Sequence, residues 1–221
     1  MTDILEQIAY CVEFGKINKA SPYPPDLKGQ DGADELTKKA LGEGISPDDI
    51  LQKAFVSAMN KVGQKFSENK IFVPQMLMSA KAMSTGMEHL KPFFRSGEVQ
   101  RKGKFVIGTV SGDLHEIGKN LASMMIEGAG WEVIDLGVDV KTDKFIEQLT
   151  RDSGCVIGLS ALLTTTMVNM EDTVKKIKEK FPDTKVLIGG APVTEDFKNQ
   201  IGADFFALEP QGAVEFLNQI A

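Results

Sequence analysis

The spacing of apolar side chains changes period once along the chain, between Phe94 and Phe105. Before the change, apolar residues recur every three or four positions, the repeat that lines them up on one face of a helix. Ile4, Leu5, Ile8 and Val12 make one stripe, and Leu36, Ala40 and Leu41 a second. Ser46-Pro-Asp-Asp49 reads as a helix start, with serine as N-cap, proline at the first helical position and acids in the first turn. The helix it opens carries Ile50, Leu51, Ala54, Phe55, Ala58, Met59 and Val62. A fourth, opened by Pro74, is predicted to present Leu77, Ala80, Met83, Met87 and Leu90 on one face. Four amphipathic helices predict an up-and-down bundle over residues 1–94. Its first link, Ser21-Pro-Tyr-Pro-Pro-Asp-Leu-Lys-Gly-Gln30, is too rich in proline to be helical.

Beyond the change the pattern is of short apolar runs, near 105–110, 131–136, 155–160, 185–189 and 204–207, alternating with helical stretches. A last helix is expected from Gly212 to Ile220. That alternation predicts an α/β fold over residues 104–221, a flavodoxin-like, doubly wound, five-stranded parallel sheet with helices on both faces. Residues 95–103 are polar, charged and glycine-bearing, the composition of a domain linker and hinge.

Composition removes several classes of function. A formal net charge of −6 argues against a nucleic-acid surface, which would need a basic face. No apolar run approaches the roughly 20 residues that span a bilayer. The start, Met-Thr-Asp-Ile-Leu-Glu, lacks the basic and apolar regions of a signal peptide, so a cytoplasmic protein is expected. Cys155 opens an apolar strand and reads as a buried thiol rather than a disulfide partner of Cys11 or a nucleophile.

The chemistry concentrates in Ser111-Gly-Asp-Leu-His-Glu-Ile-Gly-Lys-Asn120, between the first strand and a helix starting near Ile117. Loops beyond the carboxyl ends of parallel strands are where such sheets bind ligands. Asp113, two residues before His115, can hold one ring nitrogen while the other faces a metal. Gly118 lets a bulky group approach the backbone. One histidine does not make a zinc site, which takes three or four protein ligands. It suffices for a metal that brings most of its ligands with it, as in a macrocycle.

Asp113-x-His115-x-x-Gly118, followed by Gly158-Leu-Ser-Ala-Leu-Leu-Thr-Thr-Thr-Met167 and Leu187-Ile-Gly-Gly-Ala191, resembles the cobalamin-binding domain of methionine synthase. The chain is still more similar to the small corrinoid proteins of methyltransferase systems, over about residues 46 to 221. Ile107-Gly-Thr-Val110, Ile117-Gly-Lys-Asn120 and Ile134-Asp-Leu-Gly-Val138 carry the same pattern. The resemblance implies a base-off cobalamin with His115 as its lower cobalt ligand and Asp113 behind it. Leu114, within the motif, and Leu162, within the second run, belong to the implied cofactor surface. Thr166 stands where methionine synthase continues the hydrogen-bond chain with a serine. Ser160 and Thr164 match residues lining the pocket of the cofactor's nucleotide tail, and Gly189 and Gly190 the space for its benzimidazole. Phe72-Val-Pro-Gln-Met76 resembles the cap over the methyl-bearing face, with Phe72, Val73 and Met76 as the implied contacts. Taken singly, these residues have plainer readings as helix caps, turn glycines and helix core.

The resemblance implies carriage rather than catalysis by the chain itself. A substrate methyltransferase would load Co(I) with a methyl group from a methoxylated aromatic (as in an O-demethylase), a methylamine, a betaine or methanol. A second methyltransferase would pass it from methylcobalamin to a tetrahydrofolate or thiol acceptor. A reductive activase would rescue oxidised cobalt. Neither a membrane nor a nucleic acid is an expected partner. The small subunit of an adenosylcobalamin-dependent mutase shares Asp-x-His-x-x-Gly, but the fused bundle with Phe72-Val-Pro-Gln favours methyl carriage. A photoreceptor would add a DNA-binding module, and a cofactor-free signalling domain would be colourless.

Overall fold

A computed structural model describes residues 3–221, and the contacts divide it into two compact units. One runs to Arg101 and takes in Gly128–Gly130; the other comprises Lys102–Glu127 and Trp131–Ala221.

The first unit is helical. Helix α1 (Ile4–Glu13) starts on Asp3, whose carboxylate accepts from the Leu5 amide at 3.3 Å. It packs on α2 (Ala33–Gly42) and on α5 (Val73–Met87). Between these runs a long helix built of α3 (Pro47–Asp49), a π-wound stretch Ile50–Val56 and α4 (Ser57–Ser67). Proline sits at its first turn and Ser46 at its N-cap, although the serine side chain makes no capping bond. In the π-wound stretch Ile50, Leu51, Ala54, Phe55 and Val56 are all buried, more of the circumference than an α-helical stripe covers. A short α6 (Lys91–Ser96) ends on Gly97, which is left-handed at φ +79°.

Two sequence expectations shift here. The buried face of α5 runs through Met76, Ser79, Ala82, Met83, Gly86 and Met87, while Leu77 is exposed. Ser79 can sit inside because its hydroxyl donates to the Glu13 carbonyl at 3.0 Å. The expected linker, residues 95–103, begins inside α6, and its Val99 is buried. The proline-rich segment is a loop with one short 3₁₀ turn, Pro25–Leu27. It is tied down by Lys16, a fully buried lysine whose Nζ donates to the Ser21 carbonyl at 2.9 Å.

The second unit alternates β1 (Lys104–Thr109), α7 (Ile117–Gly128), β2 (Glu132–Asp135), α8 (Thr142–Arg151), β3 (Val156–Ser160), α9 (Met167–Lys180), β4 (Val186–Gly189), α10 (Glu195–Ile201), β5 (Phe205–Ala207) and α11 (Pro210–Ile220). All strand pairs are parallel and the order is β2-β1-β3-β4-β5. This is the flavodoxin-like order, whose switch point lies between β1 and β3. Period-two alternation sends Val106, Ile157 and Ile188 to one face, where they pack with Phe145, Leu149, Met170, Val174 and Ile177 of α8 and α9. Phe105, Ile107 and Leu187 face the other way, toward Ala122 and Ile126 of α7 and Ala213 of α11. Ser160 pairs with both Thr109 and Gly189, so the strands end level where the loops begin.

Candidate functional site: a buried carboxylate, a half-exposed imidazole and an apolar cavity

The loop after β1 leaves the sheet through Gly112, left-handed at φ +82°. It turns Asp113 fully inward. One carboxylate oxygen, Oδ1, accepts from the His115 amide at 3.0 Å and lies 2.7 Å from His115 Nδ1. The other, Oδ2, accepts from the amides of Leu162 at 2.8 Å and Leu163 at 3.2 Å. It also lies 2.9 Å from Thr166 Oγ1, whose single proton has the Leu163 carbonyl at 2.8 Å as its alternative. Burial pushes this carboxyl up, but the donors around it outweigh burial and hold it well below the usual carboxylate range. An ionised acceptor beside Nδ1 fixes the imidazole proton there and leaves the Nε2 lone pair for a metal. The Thr109 hydroxyl, fully buried, donates to the His115 carbonyl at 2.8 Å and holds the residue from behind. The His115 side chain is 49% exposed, so its free nitrogen is reachable.

Beside the imidazole opens a cavity of about 630 Å³. Of the residues singled out in the sequence, Leu114, His115, Gly118, Ser160, Leu162, Gly189 and Gly190 line it. Asp113 and Thr166 lie off its wall, buried behind the histidine. Thr164 is exposed and outside the lining. Gly190 has φ +130°, and a Cβ there would fall 1.8 Å from the Ala161 carbonyl oxygen, so no other residue fits. At Gly118 a Cβ would meet nothing within 4 Å, which marks open space beside the motif. Phe72, Val73 and Met76 belong to the helical unit, where Phe72 is exposed and Met76 fully buried, leaving Met76 no surface for a ligand.

The sequence reading missed one wall of the cavity, Ala207, Leu208, Glu209, Pro210 and Ala213 at the junction of β5 and α11. The signal was there: Glu-Pro opening a helix straight after the last strand is another carboxyl-end loop. Lys119, which the sequence reading named within Ile117-Gly-Lys-Asn120 but gave no role, is almost fully buried on the lining, and its Nζ pairs with Asp135 and donates to Asn120 Oδ1 at 2.7 Å.

These features fit one kind of ligand. A single imidazole with one nitrogen committed to a carboxylate suits a metal already held in a macrocycle. The exposed Leu114, Ile117, Leu162 and Leu208 around it offer a flat apolar group a surface, and the cavity takes a bulky tail. The chain's other histidine, His89, pairs with Asp34 at 2.6 Å in the helical unit.

The comparisons agree. A family described as B12 binding domain matches residues 103–216, and a second of the same description matches residues 30–91. Trimethylamine corrinoid protein 1 of Methanosarcina acetivorans is 41% identical over 178 residues, 79% of this chain and 82% of that protein. A corrinoid protein of Desulfitobacterium hafniense is 40% identical over 191 residues, 84% of this chain and 88% of that one. The crystal structure of the methanol:cobalamin methyltransferase complex from Methanosarcina barkeri superposes with a TM-score of 0.83 at 27% identity, covering 99% of this chain and 80% of that one. The chain belongs to the B12-binding corrinoid proteins of methyltransferase systems. It binds a corrinoid cofactor.

Proposed function

We propose that this chain is the methyl carrier of a corrinoid-dependent methyltransferase system, with His115 as the lower axial ligand of a base-off cobalamin. The observation that carries the reading is the Asp113 carboxylate, buried, ionised and 2.7 Å from His115 Nδ1, on an imidazole whose side chain is half exposed. When bound, the corrinoid supplies a cobalt centre that takes up and gives back a methyl group. The chain's part is to ligate, to hold a proton and to receive the tail. His115 donates Nε2, and Asp113 keeps the proton on Nδ1. Thr166 hands the second carboxylate oxygen a hydrogen bond, and a proton arriving at Asp113 would weaken the imidazole as a donor and favour its release. The apolar cavity bounded by Ser160, Gly189 and Gly190 takes the displaced nucleotide base.

Such a carrier works between a substrate methyltransferase and a second methyltransferase with a folate or thiol acceptor, with a reductive activase returning oxidised cobalt to Co(I). Among methoxylated aromatic, methylamine, betaine and methanol donors, the methylamine names of relatives such as trimethylamine corrinoid protein 1 favour a methylamine. The corrinoid-protein names of these relatives do not favour the mutase alternative. Reconstitution with hydroxocobalamin tests the reading: wild type gives a histidine-ligated visible spectrum that His115→Ala loses. An unliganded corrinoid in wild type overturns it.

A further inference from the structure

The loop carrying Asp113 and His115 is itself held from outside, by a residue on neither the loop nor the cavity. Asp139 lies between the end of β2 and α8, with a left-handed backbone at φ +52°. For a side chain other than glycine that conformation is uncommon, and Asp and Asn carry it most readily. It lets one residue bond to three consecutive residues of the loop. Asp139 Oδ1 accepts from the Gly112 amide at 2.7 Å and lies 3.2 Å from Ser111 Oγ, while its own amide donates to the Asp113 carbonyl at 2.9 Å. From the other side, Asn169 Nδ2 of α9 donates to the Ser111 carbonyl at 2.7 Å. On either side of Asp139, Gly137 and Val140 bond to Thr109, and Val140 bridges Val110, so the clamp is built on the sheet. The Gly112 amide and Ser111 hydroxyl keep the Asp139 carboxyl below the usual carboxylate range, as an acceptor that stays charged.

We propose that Asp139 is a positioning residue for cobalt ligation: by fixing the backbone of Ser111, Gly112 and Asp113 it aims the Asp113 carboxylate at His115 Nδ1, and so sets how completely His115 binds the metal. This rests on His115 being the axial ligand. Asp139 touches neither the imidazole nor the cavity lining, so its loss acts on ligation without removing a wall of the tail pocket. The full chain is reconstituted with hydroxocobalamin, reduced to Co(II), and read two ways: corrinoid bound per protein, and the fraction showing nitrogen hyperfine splitting from an axial imidazole in electron paramagnetic resonance.

Asp139→Gly keeps the left-handed backbone and removes the carboxylate, and Asp139→Asn keeps an acceptor oxygen. The Gly variant is expected to retain its corrinoid but shift the ligated-to-unligated ratio by about tenfold, the low end of what losing a supporting group costs a metal site. Asp139→Asn should restore most of the ratio. A purely structural role would lower corrinoid content and apo-protein melting temperature together while leaving the ratio among bound molecules unchanged, and that result overturns the proposal. A wild-type ratio in Asp139→Gly does the same, with His115 ligation intact. Wild type without imidazole splitting removes the His115 reading itself, a failure distinct from the other two.

Discussion

Replacing Asp113 by Asn keeps the shape of the side chain and removes one of its two accepting faces. In wild type Oδ1 serves the His115 amide and Nδ1, and Oδ2 serves two backbone amides and the Thr166 hydroxyl. An asparagine must point its amide at one group. Turned toward Leu162 and Leu163, it sets donor against donor in a fully buried place. Turned toward His115, it donates to Nδ1, drives the ring proton to Nε2 and blocks the nitrogen a metal needs. Hydrogen bonds to a charged group are worth roughly 1.5–3 kcal/mol each and a buried unpaired donor costs roughly 1–3, so either orientation should cost the apo protein about 4 kcal/mol. Histidine ligation should weaken by about 10- to 100-fold, the usual range for a ligand's supporting carboxylate. Urea titration of the apo protein reads the first effect and a visible titration with hydroxocobalamin the second. Because the native Asp113 pKa is depressed, its contribution is complete above about pH 4, the ordinary carboxylate value, and fades as pH falls below it. The gap between wild type and Asp113→Asn should therefore close on acidification. A variant within 1 kcal/mol of wild type at pH 7, with full ligation, would refute the account.

Three further outcomes follow from single positions. Gly190→Ala, with its Cβ driven into the Ala161 carbonyl oxygen, should lose about 3 kcal/mol or more in chemical denaturation, and near-neutral behaviour would mean the strand end yields. Thr37→Val replaces a buried hydroxyl that has no hydrogen-bond partner, so the midpoint in urea should rise, by about 1 kcal/mol of stability, rather than fall. Burial pushes the Cys11 thiol up to about 11 from its ordinary value near 9. Stability linked to it is complete below pH 9 and is lost as pH climbs through 11, so Cys11→Ala should flatten the alkaline limb of a stability–pH curve.

The strands and most helices were legible because burial imposes a period, and the period survives in the sequence wherever burial is the dominant demand. It failed in α5, where Ser79 takes an inward place by bonding to the Glu13 carbonyl and Leu77 is left in solvent. At residues 95–103 polar composition hid the end of α6 and a buried Val99, while the division between the two compact units falls within that span. At the site, Asp113 and His115 stood out because their spacing is short. The contacts of Asp113 with Leu162, Leu163 and Thr166 join loops 49 to 53 positions apart, which the sequence suggests only through the expected parallel-sheet topology and the resemblance. Asp139 and Lys119 were illegible for another reason: a left-handed aspartate and a buried lysine look in sequence like any loop acid and any helix charge.

On the proposed reading the imidazole and the apolar cavity would be two grips on one ligand: His115 comes from the loop after β1, whereas Gly189, Gly190 and residues 207–210 come from the ends of β4 and β5. A molecule held at both points does not leave when one lets go. Release of the metal by His115 would then be an intramolecular event, and its return would be governed by effective concentration rather than by how much corrinoid is free in solution. Dilution should leave rebinding untouched, whereas shortening the ligand's tail should not.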